Sequence, residues 1–489
     1  MKSRSLYLYN TESRQCEPLK PPPGREELLI YTCGPTVYNY AHIGNFRTYV
    51  FEDLLRRTLR YFGTRVIQVM NLTDVDDKTI RGALEQGVEL SQYTHTYKEA
   101  FFHDLKTLHI EPVEFYPAAT DYIAAMIAMI EQLLAKGIAY RGKSGDIFFA
   151  IEKFPNYGRL SHLDLATLKV GASERVATDE YDKESAADFV LWKAYHPKRD
   201  GSIYWNSPFG KGRPGWHIEC SAMATQLLGS TVDLHVGGVD NIFPHHENEI
   251  AQSEGCSGHL FVRHWAHCQH LIVEGKKMSK SLGNFYTLRD LLARGYTGEE
   301  VRYLLIATHY RTQLNFTFEG LDAARHALSR LCSLIDRLRA LSQTKGQSLT
   351  PILTAAKAAF DEALADDLNI SVALAALFDF VRKVNTACDE EAVSVEGARE
   401  AMAFLRAIDR VLGFLPLEKE VPIPDDIQAA LEKRELARKN KDWAVADEQR
   451  NYIEQCGYQI EDTAAGPRVK AAAPLSAMTK DRCKEKKRR

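Results

Sequence analysis

The sequence predicts an α/β protein: a split Rossmann-type parallel sheet with an inserted subdomain, followed by an α-helical C-terminal half. Three observations carry that expectation. A strand–turn–helix–strand pattern opens the chain, parallel-sheet character returns after a long polar interval, and from Glu319 onward the apolar periodicity is helical.

Alternation in Glu27–Tyr31 runs into Thr32-Cys33-Gly34-Pro35-Thr36, a buried strand ending in a turn. Phe46–Phe62 then carries apolar residues at helical spacing, and Arg65–Met70 forms a second strand. Two strands joined through a helix make a βαβ unit, hence a parallel sheet with helices on its faces. Residues 120–140 read as a helix rich in Ala and Ile. The polar region from about 141 to 215, with its charged stretch Ser173–Ala187, reads as an inserted subdomain plus a mobile loop. Sheet character resumes near Thr231–Val236 and Leu260–His267, ahead of a lysine-rich loop at 274–281. Prolines 416, 422 and 424 mark a linker, Ile427–Ile453 is a charged amphipathic stretch, and 470–478 lacks any structural pattern. The expected division is 1–125 and 216–290 for the two halves of the sheet domain, 126–215 for the insertion, 291–417 for a helical domain, 418–468 for a small C-terminal domain and 469–489 for a flexible basic tail.

A chain of 489 residues exceeds one compact core, and 45% hydrophobic with 26% charged residues is ordinary for a globular protein. No apolar stretch is long enough to span a bilayer and the N-terminus lacks a signal-peptide run, so a cytoplasmic location without a membrane partner is expected. Nine cysteines, an odd number, do not suit a secreted disulfide framework. The net charge of −3 is indifferent to nucleic acid. The basic last ten residues fit either a solvated terminus or attraction to a phosphate backbone.

Two short motifs carry chemistry. In Ala41-His42-Ile43-Gly44-Asn45 a small residue lets backbone approach a ligand where a helix begins, and helix N-termini hold phosphates through unpaired N–H groups. His42 and Asn45, three apart, can present side-chain donors to one anion. In Gly275-Lys-Lys-Met-Ser-Lys-Ser-Leu-Gly283 three lysines in five positions, flanked by glycines, suit a mobile loop closing over a polyphosphate. Lys277, Ser279 and Lys280 are the expected contacts.

In this pair of motifs the chain resembles class I aminoacyl-tRNA synthetases. The first motif more often ends in His in that class; here Asn45 can donate to a phosphate but carries no charge. The strings Tyr31–Tyr38, Asp188–Lys193, Gly212–Ser221 and Phe243–Ala251 are similar to the cysteinyl-tRNA synthetase family, and the resemblance covers nearly the whole chain. It implies one zinc ion per subunit on Cys33, Cys220, His245 and Glu249. His245 and Glu249, four apart on an expected helix, project from one face. His246 and Glu247 are expected to point elsewhere, as supporting or sheet-packing residues. Zinc accepts such a mixed sulfur, nitrogen and oxygen set. A metal that takes sulfur as thiolate also separates cysteine from serine without an editing domain, which a pocket of shape alone does poorly.

The resemblance further implies Thr73 and Trp216 as walls of the amino-acid pocket and Asp240 as a partner of the ribose hydroxyls. ATP then lies on His42, Gly44, Asn45, Asp240, Lys277, Ser279 and Lys280, with Mg2+. The catalytic groups are His42, Asn45, Lys277 and Lys280. Asp74, Asp76 and Asp77 are read as helix-capping groups in preference to magnesium ligands. In the helical half Trp443, Asp447 and Asp462 fall where the family meets tRNA, Trp443 with basic neighbours Lys433, Arg434, Arg438, Lys439, Lys441 and Arg450. The expected activity is that of a monomeric cysteine–tRNA ligase acting on ATP, L-cysteine and tRNA(Cys). Two other readings are a cysteine ligase with a small amine acceptor, which leaves the helical half without a task, and a catalytically silent RNA-binding relative, which the intact lysine loop and ligand set oppose.

Overall fold

The computed structural model describes residues 4–163, 188–279, 281–417, 424–463 and 466–471. The expected loop at Ser173–Ala187, Lys280 and residues 472–489 lie outside them, whereas residues 469–471 of the expected tail belong to a strand, Gly466–Ala471.

The chain opens with a hairpin, β1 (Leu6–Asn10) and β2 (Gln15–Leu19). The sheet domain's first half is β3 (Glu27–Thr32), α1 (Ile43–Tyr61) and β4 (Arg65–Met70), followed by α2 (Asp77–Gln86) and α3 (Leu90–Thr107). Next come α4 (Ile123–Ala135), β5 (Ala139–Arg141), β6 (Ile147–Phe149), β7 (Phe189–Ala194), the single turn α5 (Pro197–Asp200) and β8 (Gly212–Pro214). The second half is α6 (Trp216–Leu228), β9 (Val232–Gly238), α7 (Glu247–Ser257) and β10 (Val262–Cys268). The lysine loop begins in the hairpin β11 (Leu271–Val273) and β12 (Lys276–Lys277), and α8 (Leu288–Ala293), α9 (Gly298–Ala307) and β13 (Leu314–Phe316) follow. Four longer helices, α10 (Phe318–Ala340), α11 (Thr350–Ala365), α12 (Ile370–Asp389) and α13 (Val395–Leu412), form a bundle. The small C-terminal unit is α14 (Asp425–Lys439), α15 (Trp443–Gln455), β14 (Tyr458–Thr463) and β15 (Gly466–Ala471).

The central sheet has the order β10-β9-β3-β4, all parallel. β3 feeds α1 and β4 on one side, while β9 feeds α7 and β10 on the other. The two halves therefore meet between β3 and β9, and a crevice opens beyond the carboxyl ends of those two strands, the place where open parallel sheets bind ligands. The insertion, irregular by sequence, is a four-stranded antiparallel sheet in the order β5-β6-β7-β8. Three of its four strands, β5, β6 and β8, have only three residues each, too short for a period-2 signal.

α1 is buried on nearly every side because it lies between the sheet and the helical half. Arg47 on α1 is 2% exposed and donates to the carbonyls of Leu305, Thr308 and His309, the orphan acceptors at the end of α9. Asp53 accepts from Arg302 at 2.6 Å and from Arg57 at 2.7 Å, and Arg302 also donates to Leu412 O at 2.7 Å. Buried charges are retained only with such partners. The contacts fix the bundle to the sheet domain. The stretch Ile427–Ile453 divides at Lys441, whose φ of 58° ends the helical run. Trp443 consequently begins α15, apart from Lys433, Arg434, Arg438 and Lys439 on α14.

Candidate active site and metal centre

The carboxyl end of β3 sets the geometry. Gly34 N–H donates to Asn71 Oδ1 at 2.9 Å, Thr73 N–H to Pro35 O at 3.0 Å and Val37 N–H to Thr73 O at 3.0 Å. Only glycine fits at 34, where a Cβ would stand 1.8 Å from Asn71 O. This lacing aims Cys33 into the crevice and buries Thr73 beside it, its hydroxyl accepting from Asn71 Nδ2 at 3.2 Å.

From the other half, α6 carries Cys220, and residues 242–249 carry His245 and Glu249. The donor atoms of Cys33, Cys220, His245 and Glu249 all lie within 4.8 Å of one another and are buried. His245 Nε2 stands 2.9 Å from Glu249 Oε1. The ring nitrogen Nδ1 of His245 meets His217 Nδ1 at 2.9 Å, and Glu249 Oε2 meets His235 Nε2 at 3.0 Å. Each candidate ligand on this segment thus has a second atom held by a neighbour, as metal ligands require. Against the effect of burial, Glu249 and Cys220 lift the His245 imidazole to about 10, while His235 and His245 hold the Glu249 carboxyl at about 2. A hydrogen bond from Cys33 and the charge of His245 pull the Cys220 thiol down to about 6, whereas burial pushes Cys33 up. The cluster gathers two cysteine sulfurs, an imidazole and a carboxylate in a buried site, a donor set that fits zinc.

His246 departs from expectation. Its Nε2 lies 3.4 Å from Cys33 Sγ, and Cys33, His235, His246 and Glu249 form a second group within 4.8 Å. Residues 242–246 make a wider π-type turn, with Phe243 at φ −139° and ψ 131°, before the α-helix begins at Glu247. His245 and His246 stand four and three residues ahead of Glu249, spacings that place both beside it on a helix face. The first group is the better metal site because it uses both thiols. In the second, His235 Nε2 is already engaged with Glu249 Oε2 at 3.0 Å, and His246 Nδ1 meets His267 Nε2 at 2.8 Å as His245 Nδ1 meets His217. Burial pushes His246 far below the usual imidazole range and His267 down to about 3, so both are neutral. Glu247 does point away: it accepts from Gly158 N–H at 2.7 Å, Ser161 N–H at 2.9 Å and Ser161 Oγ at 2.9 Å, fastening the insertion to α7.

Trp216 stacks on His245, ring centroids 4.3 Å apart at 22°, with 42% of its surface exposed to the crevice mouth. Glu219, which the sequence reading missed, is 1% exposed; burial pushes its carboxyl well up, and Oε2 has no hydrogen-bond partner among the described residues. Its place between two α6 residues of evident interest gave no signal of its own. Asp76 caps α2 as expected, accepting from Lys78 N–H at 2.7 Å. Asp74 instead accepts from Lys98 Nζ at 2.6 Å and Thr120 N–H at 2.9 Å, and Asp77 pairs with Lys193 and Arg213.

The two sequence motifs are brought together at the start of α1. His42 is the N-cap, and its Nδ1 accepts from Asn45 N–H at 3.2 Å. At Gly44 a Cβ would stand 3.0 Å from the His42 ring and 3.1 Å from the Met278 methyl, so the missing side chain lets both close in. Phe285 meets His42 edge-on at 5.2 Å, and Ile43 N–H donates to Tyr286 O at 3.0 Å. Burial lowers His42 to about 4, with the Asp240 carboxylate opposing. Asp240 lies exposed just after β9, on the same rim. Lys277 ends β12 exposed, and Ser279 N–H donates to Asn284 Oδ1 at 2.8 Å, closing the neck of the loop.

In the C-terminal unit Trp443 is 60% exposed, and Asp447 is exposed on the same helix. Asp462 is clasped by Arg434 at 2.9 Å and Arg438 at 2.6 Å. A carboxylate so held serves as part of a charged pair, which spacing within β14 did not reveal.

Residues 20–326 match the family model described as the catalytic domain of class I (C) tRNA synthetases, and residues 359–416 match the DALR domain. Over 473 residues the chain is 60% identical to a cysteine–tRNA ligase of Protochlamydia amoebophila (strain UWE25), covering 96% of this chain and 98% of that one. It is 55% identical to a cysteine–tRNA ligase of Chlamydia pneumoniae, covering 95% and 98%. Among solved structures, Mycobacterium tuberculosis methionyl-tRNA synthetase with methionyl-adenylate aligns over 80% of this chain and 92% of that one, with a TM-score of 0.58 at 14% identity. An Agrobacterium radiobacter K84 leucyl-tRNA synthetase complex aligns over 82% and 85%, with a TM-score of 0.57 at 14% identity. These two likenesses concern the fold.

Proposed function

This chain belongs to the cysteinyl-tRNA synthetases of class I, and on that premise we propose how its own residues divide the work of cysteine–tRNA ligation. ATP, cysteine and tRNA(Cys) are the substrates. The observation that carries the proposal is the buried quartet Cys33, Cys220, His245 and Glu249, set in the same crevice as the start of α1.

Zinc, when held by that quartet, supplies a Lewis acid that takes the substrate sulfur as thiolate and so separates cysteine from serine. Trp216 and Thr73 wall the space beside it, which leaves the amino and carboxylate groups facing α1. The triphosphate lies at the N-terminus of α1, where free N–H groups and the helix dipole favour an anion. Because burial keeps His42 neutral and its Nδ1 accepts from Asn45 N–H, the ring offers Nε2–H to a phosphate oxygen as a hydrogen-bond donor. Asn45 uses its amide oxygen on His42 N–H at 3.1 Å, which frees Nδ2 for the same anion. Positive charge comes from Lys277 and Lys280 in the loop and from Mg2+ carried with ATP. Asp240 takes the ribose hydroxyls.

The cysteine carboxylate attacks the α-phosphorus, the bond to the bridging oxygen breaks, and pyrophosphate leaves with its charge facing the lysine loop. The terminal ribose hydroxyl of the tRNA then attacks the mixed anhydride and AMP departs. Orientation and fixed electrostatics carry the rate, so no dedicated general base is required. Trp443, Asp447 and the Asp462–Arg434–Arg438 cluster face the tRNA from the C-terminal unit. A small-amine acceptor is disfavoured because the tRNA-charging relatives align over 98% of their length, helical half included.

Cysteine-dependent ATP–pyrophosphate exchange and charging of tRNA test the assignment together. Both activities are expected. Exchange without charging would move the acceptor away from tRNA.

A further inference from the structure

Arg289 belongs to neither sequence motif, yet it joins three elements around both. It lies on α8, just downstream of the lysine loop. Its Nη2 donates to Ala100 O at 3.2 Å and forms an ion pair with Asp104 Oδ1 at 3.2 Å, both on α3. Its guanidinium stands 4.6 Å from the ring centroid of Tyr40, two residues ahead of His42. Tyr40 in turn meets Tyr97 of α3 edge-on at 5.5 Å.

Asp104 makes this contact consequential. Its side chain is 1% exposed, and the other cationic candidate near it is the largely exposed His103, 3.5 Å away. A buried carboxylate needs a partner, so Arg289 is held where Asp104 is. The segment between Arg289 and the loop is equally fixed. Thr287 caps α8 with Asp290, Tyr286 O accepts Ile43 N–H at 3.0 Å, and Phe285 packs on His42. The downstream root of the loop is thereby pinned twice to the first motif, at Ile43 and, three residues beyond Tyr286, at Tyr40.

We propose that Arg289 is a positioning residue for adenylate formation, bracing the root of the lysine loop against α3 and the Tyr40 turn so that Lys277 meets the departing phosphates. The proposal rests on the phosphate-contact reading of Lys277. Its effect is expected in the step in which pyrophosphate leaves, because no hydrogen bond, ion pair or ring contact among the described residues joins α8 to Cys33, Cys220, His245, Glu249 or Trp216.

Arg289→Ala, Arg289→Lys, Tyr40→Leu and Lys277→Ala, compared with the wild-type chain, test it. The measurements are kcat and KM of ATP–pyrophosphate exchange, KM for cysteine, and transfer to tRNA from preformed cysteinyl-adenylate. For Arg289→Ala the exchange kcat falls about tenfold, ~1.4 kcal/mol in barrier, while cysteine KM and the transfer rate hold. Arg289→Lys recovers part of the loss, because a lysine keeps the charge against Asp104 but not the fork or the flat contact on Tyr40. An unchanged exchange rate in Arg289→Ala overturns the proposal, as does an equal loss in exchange, cysteine KM and transfer. If Arg289→Ala does not fold, Tyr40→Leu decides alone, with slower exchange expected and no change contradicting. Should Lys277→Ala leave exchange intact, the loop reading itself fails. If only Lys277→Ala slows it, the brace fails and the loop reading stands.

Discussion

His42 and Asn45 cap one another across the first turn of α1: Asn45 N–H donates to His42 Nδ1 at 3.2 Å, and His42 N–H donates to Asn45 Oδ1 at 3.1 Å. A capping box satisfies two orphan donors and fixes both side chains at once. The asparagine at this position is therefore a structural partner, and its Nδ2 is left for the proposed phosphate contact.

Asn45→Asp separates those two tasks. The carboxylate still accepts His42 N–H, so the melting temperature stays near that of the wild type. The lost Nδ2 donor and the added negative charge slow pyrophosphate exchange. Asn45→Ala removes the cap too and costs about 1 kcal/mol of stability. Thermal unfolding alongside exchange kinetics distinguishes the two variants.

Acid should weaken the fold through His42. Burial holds its folded-state value near 4, below the roughly 6.5 of an unfolded imidazole. Between those values the unfolded chain binds the extra proton, so stability rises with pH across that window and levels off above it. Melting temperatures of wild type and His42→Gln, compared between pH 7 and pH 5, should converge as the pH falls. Parallel curves would mean that His42 does not contribute.

The two overlapping groups of metal donors make different demands. If Cys33, Cys220, His245 and Glu249 hold the ion, Cys220→Ser and His245→Ala lose it and cysteine activation with it. His246→Ala keeps metal, with affinity reduced about 10- to 100-fold as for loss of a supporting partner. Equilibrium zinc titration checks the ranking, and retention of metal by His245→Ala together with its loss from His246→Ala would select the other group.

Glu247→Ala should loosen the insertion without touching the metal. Two backbone N–H groups, at Gly158 and Ser161, lose their acceptor, a cost of about 1–3 kcal/mol each where they stay buried. Faster hydrogen exchange at those amides with unchanged zinc content is the expected result.

Trp443→Ala should impair tRNA charging and leave pyrophosphate exchange near normal. The indole is 60% exposed, so its removal costs the small C-terminal core little, and a collapse of both activities would contradict that.

What the sequence made legible follows from physical period and charge. β3, α1 and β4 were plain because alternation, a 3.6-residue stripe and a glycine turn follow in order. The quartet emerged through the resemblance carried by Tyr31–Tyr38, Gly212–Ser221 and Phe243–Ala251, since spacing alone joined only His245 to Glu249. His246 was expected to point elsewhere, although three residues ahead of Glu249 helical spacing already sets it beside that carboxylate. The insertion's sheet stayed hidden in strands of three residues. Arg289 and Asp104 are 185 positions apart and joined only by folding, as are Asp462 and Arg434.

The central claim is that a metal in the Cys33–Cys220–His245–Glu249 quartet selects the substrate by its sulfur. Zinc content of the purified chain, measured together with exchange supported by cysteine or by serine, tests it most directly. About one zinc per chain is predicted from a single four-donor site, with exchange that depends on cysteine, is lost on chelation and gives no response to serine. A metal-free chain with full activity, or one that accepts serine equally, would contradict it.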